Sequence, residues 1–288
     1  MVPRRGRPGI GRVVVTGLVV LILIAATLGA VVLTAGRGAK SSTSAESSTT
    51  SPTQSASECD ARITAETTLN ENIGPCPGDG LVIGANGITL DCAGHTINGT
   101  GTNDTSAGIR LTGMSGITVE NCYVTEFWYG LVLDNSSNNS FVRNMADKNV
   151  YDGFLLYSSS DGNVLSGNTA NDNVLGDGFY IGNSSSDALI GNTADSNHYS
   201  GFVLDGSSRN ALTNNTANDN HFEYGFYLYN SSRNSLIRNK AVENRAYGYF
   251  DNSVGSDKAG TANMYGDDTS IDNGAGGSKP RGLATPQL

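Results

Sequence analysis

Between Gly130 and Asp251 the apolar and polar positions repeat with a long period. Gly130, Gly153, Gly178, Gly201, Gly225 and Gly248 each open a unit, at spacings of 23, 25, 23, 24 and 23 residues. Self-similarity at a period of about 20 to 50 residues marks a solenoid whose neighbouring copies stack. Each Gly leads a short apolar run: G-L-V-L, G-F-L-L, G-F-Y-I, G-F-V-L and G-F-Y-L. Side chains alternate along a strand, so the second and fourth positions face inward. Stacking predicts an inner column Leu131, Phe154, Phe179, Phe202, Phe226 beside a column Leu133, Leu156, Ile181, Leu204, Leu228. These two columns are the expected core.

The second half of each unit reads N-x-[L/F]-x-x-N-x-A-x-x-N, as in Asn163, Leu165, Asn168, Ala170 and Asn173, with Asp187 replacing the first Asn in one copy. Aligned coils give three polar columns, the middle one being Asn144, Asn168, Asn192, Asn215 and Asn239. Asn tolerates the left-handed backbone of a tight bend, and its amide can donate to one neighbouring coil and accept from the other. L-x-x-N-x-A also occurs in leucine-rich repeats, but those need L-x-x-L-x-L before the Asn and usually a helical return. Here the rest of the unit is Ser, Asn, Asp and Gly without a 3.6-residue period, which favours a parallel β-helix.

Two degenerate coils precede the clean repeats, at Gly80 to Ile97 and Gly108 to Phe127. After Gly248 the Asn spacing persists at Asn263, Asp268 and Asn273. That makes about eight coils, or a rod of about 35 to 40 Å at strand spacing. The solenoid is expected over residues 59–273, with a disordered tail or loose cap over 274–288. Four Cys lie at its N-terminal end. Cys122 falls in the column that Asn144 continues and Cys92 lies one coil earlier, so the preferred pairs are Cys92 with Cys122 and Cys59 with Cys76. No C-x-x-C occurs, which disfavours a cysteine metal site.

Upstream, residues 1–12 carry Arg4, Arg5, Arg7 and Arg12, and residues 13–34 are uncharged and long enough to cross a bilayer as a helix. The charge bias puts the N-terminus in the cytoplasm and exports the rest. Length favours a retained anchor, with a cleaved signal, and hence a secreted protein, as the alternative. The segment 35–58 is a Ser/Thr-rich disordered stalk, 12 of the 17 residues from Ser41 to Ser57 being Ser or Thr.

G-I-T-L-D-C-A-G-H-T-I-N-G-T-G, followed by the Asn-rich coils, resembles the NosD-like right-handed parallel β-helix proteins of prokaryotic envelopes, over nearly all of Cys59 to Asn273. The resemblance implies an all-β right-handed solenoid at the cell surface or in the periplasm. It further implies a family that binds or processes carbohydrate, with maturation of the copper site of nitrous oxide reductase as the namesake role. It transfers no catalytic residue.

The residues themselves offer three candidate chemistries. Aromatic side chains concentrate between Phe127 and Phe250, and Trp128, Tyr151, Tyr180, Tyr199, Tyr224 and Tyr227 are expected to form an outward row able to stack on sugar rings. Tyr180 and Tyr227 occupy the outward third strand position. Asp152 and Asp177 precede the strand Gly of adjacent coils, about one strand spacing apart, which is close to the separation of a retaining glycosidase pair. A turn Asp before Gly is also its commonest structural use. Asp134 and Asp205 share a column about three coils apart, too far to cooperate. His198 and His221 follow the last Asn of adjacent coils and could share copper or zinc, but a third ligand is missing. The stripe Asp147, Asp172, Asp195, Asp219 and Glu243 reads as a solvated face with some capacity for Ca²⁺.

The net charge of −9 argues against nucleic acid as a partner. The expected protein is a membrane-anchored extracytoplasmic solenoid that binds polysaccharide or envelope glycan and needs no cofactor. A glycan hydrolase or lyase and a copper-maturation accessory protein are the alternatives.

Overall fold

A computed structural model describes residues 58–286, so the basic leader, the apolar run 13–34 and nearly all of the stalk lie outside the described residues. No helix among the described residues is long and apolar enough to cross a membrane.

Each unit contributes one strand to each of three parallel faces. The first sheet has 10 strands, from Ala61–Ile63 through Tyr129–Asp134, Phe154–Tyr157, Phe179–Gly182, Phe202–Asp205 and Phe226–Tyr229 to Tyr247–Asp251 and Gly276–Lys279. The second sheet has 9 strands. The third face is a 4-stranded and a 5-stranded sheet, joined across the gap by isolated bridges of Thr169 to Met145 and to Thr193. Register follows the repeat, with Leu131 opposite Phe154, Phe154 opposite Phe179 and Phe179 opposite Phe202. The chain is therefore a right-handed parallel β-helix.

The expected inner columns are the core. Phe154, Phe179, Phe202, Phe226 and Tyr249 stack face to face with ring centroids 4.7 to 4.9 Å apart. The repeat glycines serve space rather than turn geometry. A Cβ on Gly178 would lie 2.8 Å from the Ala194 Cβ, 2.8 Å from the Gly201 carbonyl oxygen and 2.9 Å from the Asn197 amide nitrogen. Gly153 meets Ala170, and Gly201 meets Ala217, in the same way. The invariant Gly and the invariant Ala of the unit are two sides of one tight corner.

Three Asn ladders run along the bends between the sheets, one of them against the Gly and Ala corner. Asn192 Oδ1 accepts the Asn168 backbone N–H at 2.8 Å and its side-chain amide at 3.0 Å. The Asn192 amide donates to Asn215 Oδ1 at 3.0 Å and to the Leu165 carbonyl at 2.9 Å. A fourth ladder of Ser136, Ser160, Ser184, Ser207 and Ser231 hydroxyls caps the turn after the first sheet. It was not visible as a column in a chain so rich in Ser. The left-handed residue of each bend sits one position before the ladder Asn, at Arg143, Gly167, Gly191, Asn214 and Arg238, and not on the Asn itself. The ladder Asn is thus selected by its amide, and the strained position accepts almost any side chain.

Both disulfides form as expected, Cys59 to Cys76 and Cys92 to Cys122. The segment expected to be a disordered tail is instead ordered through residue 286. Gly276–Lys279 pairs with Tyr247–Asp251, and Thr285–Pro286 pairs with Thr269–Ile271. Leu283, fully buried, joins the core of the last coils, whose apolar interior needs a cover.

Asp187 shows what the amide supplies. Its Oδ1 accepts the Asn163 backbone N–H at 2.8 Å, but its buried Oδ2 has no hydrogen-bond partner. Burial pushes this carboxyl up from 3.8 to about 7, against the Asn163 hydrogen bonds that hold it down. Its contribution to stability is intact when it is protonated, below about pH 4, and is lost as pH rises through about 7. Asp187→Asn should therefore match the parent near pH 4 and exceed it at pH 8 by on the order of 3 to 4 kcal/mol, read from denaturant unfolding at both pH values. Gly178→Ala should destabilise by about 1 to 3 kcal/mol at any pH in the same assay, through overpacking of the corner.

Candidate functional site

With the corners and interior committed to stacking, chemistry is left to the outward faces. On the first sheet, Val132, Leu155, Tyr180, Val203, Tyr227 and Phe250 occupy one outward column in register. Two residues further along the same strands, and on the same face, lie Asp134, Tyr157, Gly182, Asp205 and Tyr229. This face is better covered than alternation alone implies.

Tyr180 departs from expectation. It points outward by register, yet only 4% of its surface is exposed. Its ring lies across Gly182, where a side chain would collide with it, and its hydroxyl donates to Asp205 Oδ2 at 2.5 Å. One coil pair earlier, Tyr157 stands directly opposite Asp134 in register. Burial, followed by the negative charge of Asp134, raises the Tyr157 phenol above its ordinary value. Both outward carboxylates of the face thus lie beside a phenol from a neighbouring coil, and Asp205 is held by its hydrogen bond. Sequence reading placed Asp134 and Asp205 in one column but did not pair them with Tyr157 and Tyr180. The signal available was Tyr157 in the same strand position as Asp134.

The expected aromatic row divides into groups. Trp128 and Tyr151 stack with centroids 6.2 Å apart and planes 3° apart, and Tyr129 meets Tyr151 edge-on at 5.7 Å. Tyr199 sits with His198 at 4.6 Å, and His198 with Phe222 at 4.4 Å. Tyr224 gathers Tyr227, Phe250 and Tyr247 at 5.0, 4.7 and 6.4 Å. Between the first two groups, on the same corner, Val174 and Leu175 are 56% and 44% exposed, and Phe222 is 61% exposed. The corner that enters the first sheet therefore presents half-buried rings on successive coils, with Val174, Leu175 and Phe222 exposed among them.

Asp152 and Asp177 do lie on adjacent coils, but both are buried in the turn. Asp152 Oδ1 accepts the Asp177 backbone N–H at 2.9 Å, and Asp177 Oδ1 accepts that of Ser200 at 2.8 Å. Each carboxylate caps the coil after it. Arg110, the outward cation at the N-terminal end, is bound by Asp79 through two hydrogen bonds of 2.5 and 2.8 Å, which raises its guanidinium pKa. It also donates to the Thr105 carbonyl. The acidic stripe divides similarly: Asp147 and Asp195 accept backbone N–H groups of the next coil, while Asp172, Asp219 and Glu243 take the left-handed bend position.

His198 and His221 are close enough for charge on one to disfavour charge on the other. Burial first, then His221, lowers the His198 pKa. No group of three or more His, Cys, Asp or Glu among the described residues could hold a metal ion, and all four Cys are in disulfides. Copper needs thiolate, thioether or imidazole donors gathered at one point. The donors among the described residues do not fit such a centre.

The family described as periplasmic copper-binding protein (NosD) matches residues 59–257. No curated protein matches the sequence significantly. Among solved structures, the chain is similar to the gp42 tailspike of Acinetobacter phage vb_AbaP_AS12, with TM-score 0.55 and 11% identity over 75% of this chain and 45% of that one. It is also similar to the periplasmic alginate epimerase AlgG, with TM-score 0.51 and 16% identity over 81% and 73%. A third is the DFA-IIIase of Arthrobacter chlorophenolicus A6, with TM-score 0.55 and 11% identity over 74% and 64%. The chain spans less than half of the tailspike, and at these identities the likeness is one of fold.

Tyr180→Ala should destabilise the protein by about 3 kcal/mol, because a buried ring is removed, and Tyr180→Phe by about 1 kcal/mol for the lost hydrogen bond. Denaturant unfolding of both variants measures this. An unchanged midpoint for Tyr180→Ala would show the ring to be a free surface group.

Proposed function

The chain belongs to the NosD family of periplasmic copper-binding proteins, and from that membership and its solenoid fold we propose that it is an envelope-facing protein that binds polysaccharide or cell-envelope glycan. The observation that carries the reading is the corner of half-buried rings and exposed apolar groups on successive coils, from Trp128 and Tyr151 through Val174, Leu175, Tyr199 and the exposed Phe222 to the half-buried group around Tyr224 and Tyr227. Sugar rings present flat C–H faces, which stack on aromatic rings, and a contiguous exposed apolar strip usually serves binding. A solenoid repeats its contact at each strand spacing, so it suits an extended polymer. Among the structures of similar fold is an enzyme of alginate, itself a polysaccharide.

Two disulfides fit an extracytoplasmic location. The uncharged run 13–34 would tether the solenoid to the membrane, with 35–58 as a spacer. The reading is one of binding without turnover: Asp152 and Asp177 are committed to the turns, and Arg110 to Asp79.

Retention of the full chain on a panel of polysaccharides, with reducing ends assayed in parallel, tests the proposal. At least one glycan should be retained without release of reducing ends. Trp128→Ala and Tyr227→Ala should each weaken retention about tenfold, the loss of one stacking contact, while moving the melting temperature little. Retention by neither the parent nor any variant would overturn the reading, and release of reducing ends would replace it with a hydrolase or lyase.

A further inference from the structure

We propose that the outer face of the first sheet selects uncharged, hydroxyl-rich glycans and rejects polyuronates and other anionic polymers. The inference rests on the glycan-binding reading and names the ligand class of that surface.

The observation is the pairing of carboxylates and phenols on this face. Asp205 is fixed by the Tyr180 hydroxyl at 2.5 Å, and Asp134 stands opposite Tyr157 in register. Asp134 and Asp205 lie three strands apart in the first sheet, a span of about 14 Å that several consecutive rings of an extended glycan cover. Between them Gly182 offers no side chain, and the Tyr180 ring occupies the space that one would fill. A carboxylate is an acceptor only, with room for more than one donor, so each keeps capacity for sugar hydroxyls beside its phenol. Such charge-assisted hydrogen bonds are the strong kind, and the Tyr180 hydroxyl holds Asp205 in place beforehand.

The same groups oppose a uronate. A ligand carboxylate on this face would meet Asp134 and Asp205 beside apolar side chains, where like charges repel more strongly than in water. The cation beside Asp134 is Arg110 on the adjoining strand, which feels the charge of Asp134 but is itself bound by Asp79. The five strands from Tyr129–Asp134 to Phe226–Tyr229 contain no Lys or Arg. Arg110 at one end is neutralised by Asp79, and Lys279 at the other end lies 5.5 Å over the Phe250 ring. The long-range field has the same sign, since residues 58–288 carry 12 Lys and Arg against 26 Asp and Glu. The alginate epimerase of similar fold is thus a guide to a polysaccharide ligand but not to the charge of that ligand.

The test compares each polymer with its own charge-free form. Affinity electrophoresis of the full chain is run in gels containing native alginate or polygalacturonate, their carboxyl-reduced counterparts, and neutral glucan, mannan and xylan. The neutral and carboxyl-reduced polymers should retard the protein at concentrations at least about tenfold lower than the native polyuronates. Added salt should narrow the gap by screening the repulsion. Asp134→Asn with Asp205→Asn should narrow it further by raising retention on the native polymers, and the salt series on the parent stands independently of whether that variant folds. Equal or stronger retention on native polyuronates overturns the inference and leaves the glycan reading standing. So does a charge preference that neither salt nor the folded double variant alters. Absence of retention on every polymer overturns both.

Discussion

The amide of a buried turn Asn is the interaction on which the fold depends. Stacking coils in a parallel solenoid places the turn of every coil against the turns of its neighbours, out of reach of water, and leaves backbone N–H and C=O groups there without strand partners. An Asn side chain meets the need from both sides. The Asn192 oxygen takes the backbone N–H of Asn168, and its nitrogen gives to the Leu165 carbonyl and to Asn215. Because each link needs the next coil at the same height, the ladders also enforce register. The Phe stack at centroid distances below 5 Å and the Gly-against-Ala corners follow from that register. Asp187, isosteric with Asn but lacking the donor, is left with a buried oxygen that has no partner and a carboxyl pushed up to about 7.

Function is confined by the same constraint. Interior columns are filled with Phe, Leu, Ile and Ala, and four ladders occupy the corners. What remains variable is the outward strand positions and the exposed tips of the turns. There the chain places half-buried rings along one corner and, on the adjoining sheet face, carboxylates beside phenols, Asp205 being clamped by Tyr180. The copper chemistry in the family's description has no matching donor set in the described solenoid, whereas a glycan-stacking surface does not need one.

The fold was legible in the sequence because a repeat declares its own alignment. Phe154, Phe179, Phe202 and Phe226 could be stacked by counting, and Cys92 and Cys122 could be paired by their columns. The exceptions are instructive. Tyr180 points outward by strict alternation, but a neighbouring Gly182 and an Asp205 one coil on give its ring a bed and its hydroxyl a partner, so it is buried. Outward exposure is a property of adjacent coils together and cannot be counted along one strand. Asp152 and Asp177 had the spacing of a catalytic pair, yet that spacing is also what a capping ladder produces. The residues after Gly274 lack the Asn signature because the last coil has no successor to satisfy, and so they looked unstructured.

The ladder is tested most directly at its middle. Asn192→Leu keeps the volume and removes the amide from a fully formed rung, stranding the Asn168 backbone N–H and the Leu165 carbonyl in the interior. Denaturant unfolding should show a loss of about 1 to 3 kcal/mol relative to the parent. An unchanged unfolding midpoint would contradict the account, because it would mean that the turns are satisfied without the amides and that register is set by the apolar columns alone.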